Sequence, residues 1–170
     1  MSALRAQRAW ATVKWLQRGA NAVSGILFLA LFTVFLIQIA ARFGFNQPLP
    51  WTDELAVILY IWVILWTAAL VVPQREHVVF DLLWNSVGTR SRQAMAIAGN
   101  LLVGGLALAG IPATWDYVHF MQREGTPVLG WPLMWVFLPL VLLMVALVMR
   151  SAWAIWQALR GHGLESELRL

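Results

Sequence analysis

Cysteine is missing from the 170 residues, so disulfides, iron–sulfur ligation and thiol catalysis are excluded, and nothing can be read about redox compartment. Charge is scarce. Asp, Glu, Lys and Arg together make up 12%, about half the ~25% of a typical soluble domain. Catalytic signatures are missing too: the chain has no H-E-x-x-H, no Gly-rich phosphate loop behind a strand, no Ser/His/Asp arrangement and no metal-ligand spacing. No enzyme chemistry and no cofactor site can be read from this chain. Its three histidines, His77, His119 and His162, fall in polar connections or the tail, which counts against a haem held between helices. The net charge of +4 comes from basic residues scattered at the ends of apolar runs, with no basic patch interleaved with aromatics, so no nucleic-acid partner is expected.

What the chain does have is apolar length. Hydrophobic residues make up 61%, and mean hydropathy is +0.71. Four runs, residues 20–41, 53–72, 94–115 and 131–149, are long enough at ~1.5 Å per residue to cross roughly 30 Å of hydrocarbon. The first is too long for a signal-peptide core and has no small-x-small cleavage site, so it is expected to remain as a span. Between the second and third runs, Phe80, Leu83, Trp84 and Val87 recur at i, i+3, i+4 and i+7, which predicts a short amphipathic helix over residues 79–88 lying in the membrane interface. The expected fold class is therefore an all-α integral membrane protein, one membrane domain of four transmembrane helices plus that interfacial helix.

Lys and Arg set the orientation. With the N-terminus inside, ten of them (Arg5, Arg8, Lys14, Arg18, Arg75, Arg90, Arg92, Arg150, Arg160 and Arg169) lie inside and only Arg42 and Arg123 outside. That asymmetry predicts cytoplasmic termini. Tryptophans agree with this arrangement: Trp51, Trp115, Trp131 and Trp135 fall near the outer interface, and Trp10, Trp15, Trp84, Trp153 and Trp156 near the inner one. Trp62 and Trp66 are the exceptions, mid-span and four apart. Their N–H groups need partners that lipid does not offer, so burial against protein is expected.

The polar detail gathers at the ends of the second span. Thr52 is placed as its N-cap, with Asp53 and Glu54 in the first turn where acids complement the helix dipole. Arg42 and Glu54 bracket the preceding turn, and either an ion pair with Asp53 or Glu54 or two solvated charges is open. His77 and Asp81, four apart, suit a cap or an interface contact better than catalysis. Inside the spans, Gln38 and Asn100 are expected to bond between helices, Pro139 to kink the fourth span, and Gly105, Ala109 and Ala113 to form a small-residue packing ridge.

Arg42, Phe45-Asn46, the run Pro48-Leu49-Pro50-Trp51-Thr52-Asp53-Glu54-Leu55-Ala56, then Trp62, Ala68-Ala69, Glu76-His77-Val78 and Asp81-Leu82 follow one another in an order that resembles the small, DctQ-type membrane subunit of tripartite ATP-independent periplasmic (TRAP) transporters. The chain departs from the family pattern at Val57, where Arg is frequent, at Thr67, where Gly is common, and at Pro73-Gln74. The resemblance implies a non-catalytic scaffold in the bacterial inner membrane. Its implied partners are a large membrane subunit, which holds the solute and sodium sites, and a periplasmic solute-binding protein, in uptake of an organic acid such as a carboxylate or sugar acid. It nominates Arg42, Trp51, Glu54, Trp62, Trp66, His77 and Asp81 as contact or structural residues. A second reading, a self-sufficient homo-oligomeric four-helix exporter or channel, calls for an acidic residue deep in a span. The sequence has none there.

Overall fold

The structure, a computed structural model, describes residues 2–72 and 88–159. It contains four long helices: α1 (Ser2–Ile39), α2 (Pro50–Trp66), α3 (Thr89–Phe120) and α4 (Leu133–Leu159). The stretches Lys14–Gly44, Pro50–Val71, Ala94–Arg123 and Leu133–Leu159 are each long and apolar enough to cross a bilayer. No β-strand occurs among the described residues; a single bridge joins Gly125 to Pro132. The segment expected as an interfacial helix, with Phe80, Leu83, Trp84 and Val87, lies outside the described residues, as do Pro73, His77 and Asp81.

Two spans end in a widened π-helical turn, Ala40–Gly44 after α1 and Thr67–Val71 after α2. Beyond the first of these the chain reverses at Asn46, whose φ of 57° is a left-handed conformation that asparagine tolerates better than most side chains. The N-cap of α2 is Leu49, and Pro50 stands at the first helical turn, where a missing N–H is no loss. Thr52 is thus not the cap, as the sequence pattern suggested. It lies one turn inside the helix, wholly buried, with its hydroxyl 2.6 Å from the Leu49 carbonyl.

The helices pack as a row in the order α1, α2, α4, α3, and α1 and α3 share no extensive contact. Leu31 and Val34 of α1 meet Ala56 of α2, with Leu55, Leu59 and Val63 packed around them. At the other junction α3 approaches α4 through its glycines: a Cβ added at Gly104 would lie 2.7 Å from the Ser151 Cβ, and one at Gly110 would lie 3.3 Å from the Met144 Cε. The rings of Tyr117 and Phe137 meet at a tilt of 60° with 6.1 Å between centroids, and Val118, next to Tyr117 in sequence, is fully buried. The expected ridge of Gly105, Ala109 and Ala113 is exposed, and a Cβ at Gly105 would meet nothing within 4 Å. Adjacent positions on a helix are turned by about 100°, so the face of Gly104, Ala107 and Val118 packs and its neighbour is left bare. Pro139, inside α4, is fully buried.

Candidate partner-binding surface and the polar clasps behind it

Gln38 and Thr52 are both buried, 8% and 0% exposed. Gln38 is the last residue but one of α1, where its Nε2 donates to Asp53 Oδ1 at 2.7 Å and its Oε1 accepts from the Thr52 hydroxyl. Buried amides need both ends satisfied, and here neighbouring residues of α2 satisfy them. This clasp ties the first two helices at the end that carries the loops, as expected for Gln38. Asn100, by contrast, donates at 2.9 Å to the Ala96 carbonyl of its own helix.

Glu54 reaches across to the second hairpin. Between α3 and α4 the chain turns through residues 124–133, closed by Thr126 N–H to the Trp131 carbonyl (2.9 Å), Gly130 N–H to the Thr126 carbonyl (3.0 Å) and Leu133 N–H to the Glu124 carbonyl (2.9 Å). Gly130, at φ 67°, supplies the left-handed step that lets the turn close. The turn aims the N–H groups of Val128 and Leu129 at one point, and Glu54 Oε2 occupies it at 2.7 and 3.2 Å. Arg42 takes no part: it is exposed on the π turn with no ion pair to Glu54 or Asp53. The acid that bracketed the first turn in sequence thus fastens the second turn instead.

Trp62 and Trp66 are half-buried, and their indole N–H groups find protein partners, as expected. Trp62 donates to the Trp135 carbonyl of α4 at 3.1 Å and Trp66 to the Ala20 carbonyl of α1 at 3.2 Å. Two rings one turn apart on α2 therefore staple it to both neighbours. Between these helices lies an apolar groove of about 330 Å³, lined by Leu27, Leu55, Leu59, Trp62, Trp131 and Trp135 among others. Trp51 is partly exposed at the start of α2.

Two further clasps escaped the sequence reading. Ser24 and Thr67 share a hydrogen bond of 2.5 Å between α1 and the π turn after α2. Arg150, counted above only as an orientation signal, donates from Nη1 to the Val72 carbonyl at 2.8 Å and to that of Ala68 at 3.4 Å. A guanidinium at the carbonyl end of a helix satisfies groups that have no partner within the helix and complements its negative pole. The signal was available: Arg150 ends the fourth apolar run, level with the end of the second.

A chain with four bilayer-length apolar helices, clasped to one another by polar side chains, is a multi-pass, all-α membrane protein. Residues 31–161 match the family of tripartite ATP-independent periplasmic transporters, DctQ component, and the chain belongs to that family, as a small permease subunit and not an enzyme. It is also similar to the sialic acid TRAP transporter permease protein SiaT of Haemophilus influenzae (strain 86-028NP), with 32% identity over 91 residues. That match covers 54% of this chain but 15% of the length of the relative.

Proposed function

We propose that this chain is the scaffold of a TRAP importer: it supports a large membrane subunit that carries solute and sodium, fed by a periplasmic solute-binding protein, in uptake of an organic acid. It sits in the bacterial inner membrane with both termini cytoplasmic, and Arg42, Trp51, Glu54, Trp62, Trp66, His77 and Asp81 serve its structure or its contacts. One observation carries this reading. Gln38, Thr52, Ser24, Thr67, Trp62, Trp66 and Arg150 are turned onto neighbouring parts of the same chain, and the remaining faces are apolar. A protein that moves a charged solute by itself needs polar groups lining a path across the membrane; a scaffold needs a rigid apolar surface. The relative supports the same division, since its much longer chain bears the name of a permease.

The test is co-purification of the tagged chain from its native membrane in mild detergent. A stoichiometric multi-span partner, and sodium-driven uptake in vesicles only when both chains and the binding protein are supplied, is the expected result. A homo-oligomer that transports alone in liposomes would replace this reading with the exporter.

A further inference from the structure

Resting on that scaffold reading, we infer that the large subunit docks on one particular side of the helix row, the side that holds the groove beside Trp62, and that the opposite side of α2 faces lipid. The helical wheel separates the two. Leu55, Leu59, Trp62 and Trp66 fall at i, i+4, i+7 and i+11 on one face of α2, whereas Val57, Tyr60 and Ile64 fall at i, i+3 and i+7 on the other. Both faces are apolar. Tyr60 is 55% and Val57 58% exposed, so exposure alone does not choose between them.

Shape does. In a bilayer the acyl chains are as apolar as the protein, so helices associate through close packing rather than through escape from water. A recess that accepts side chains gains contact that fluid lipid cannot match, and the groove between α1, α2 and α4 is such a recess. One wall is already set: the Trp62 N–H is held by the carbonyl of Trp135, which also lines the groove, so docking need not order that ring. The surface also continues. On α4, Leu142, Val145 and Met149 recur at i+7, i+10 and i+14 from Trp135, all exposed and all on the helical face of that groove-lining ring.

The occupant is an apolar transmembrane helix of the large subunit, with side chains inserted into the groove. The matched segment makes up 15% of SiaT, so in that protein most of the chain remains to cover a surface which is bare here.

The experiment places the photo-crosslinker p-benzoylphenylalanine singly at Leu59 and Leu142 on the groove side and at Tyr60 and Ile64 on the other, in the chain co-expressed with its large subunit. Leu142 is 37% exposed, so a ring there is tolerated even where one at Leu59 disturbs folding. Expected are protein adducts to the large subunit from Leu59 and Leu142, and lipid adducts alone from Tyr60 and Ile64. Large-subunit adducts from Tyr60 or Ile64 without any from the groove side overturn the assignment and leave the scaffold standing. So do lipid adducts from all four positions when the large subunit co-purifies. If no large subunit co-purifies even with the unsubstituted chain, the scaffold reading itself fails.

Discussion

Two adjacent glycines of α3 offer a sharp perturbation. A Cβ built on Gly104 lies 2.7 Å from the Ser151 Cβ and 3.2 Å from its Oγ, whereas carbon atoms rest at about 3.5–4.0 Å. Gly104→Ala must therefore push α3 and α4 apart by roughly 1 Å, an overpacking of the kind that costs ~1–3 kcal/mol. For a chain of this size that corresponds to a fall of about 2–12 °C in Tm. Gly105→Ala adds the same methyl into open space and is expected to leave Tm unchanged or raise it, since alanine is the better helix former. Ser151→Gly removes the atom that Gly104→Ala collides with, so the double variant should recover most of the loss. The assay is retention of a monodisperse elution peak after heating in detergent, followed by the fluorescence of the tryptophans. A Gly105→Ala loss equal to that of Gly104→Ala, or a double variant no better than the single, would refute the packing face assigned here.

Thr52→Val keeps the shape of a fully buried residue and removes the donor to Gln38 Oε1; a cost of about 1–2 kcal/mol is expected, seen as a lower Tm in the same assay. Glu54→Ala takes away the acceptor of the Val128 and Leu129 amides, so hydrogen exchange at those two amides should accelerate and complex yield fall, with solute preference unchanged. A changed preference would contradict the scaffold role. Arg150→Met leaves the Val72 and Ala68 carbonyls without their cap and should cost about 1–2 kcal/mol in thermal stability, a half-buried charged hydrogen bond being worth the lower part of its usual range.

The four helices were legible because each apolar run has the length a bilayer demands. Which faces pack was not. In water a helix marks its buried side by polar residues on the other, but α3 is apolar all round, and Gly104 and Gly105 are the same residue one step apart. Polar partners were legible when a lone side chain stood inside an apolar run, as Gln38 does, because such a group needs a bond. For Glu54 and Arg150, whose partners are backbone groups distant in sequence, they were illegible. Charge pairing points Glu54 toward Arg42, but two amides turned outward by the Gly130 step hold it instead. Thr52 is not the cap because Pro50, a strong marker of a first helical turn, already starts the helix and leaves Leu49 as its N-cap.

The row order α1, α2, α4, α3 also bears on biogenesis. Sequence neighbours α1 and α2 clasp each other, as do α3 and α4, so each hairpin is a unit that can leave the translocon already paired. The joint between α2 and α4 must wait until α4 has been made. Arg150 lies in the C-terminal half of α4, and until it arrives that helix offers no guanidinium to the Val72 carbonyl. The fourth span thus supplies the bolt that fixes the second.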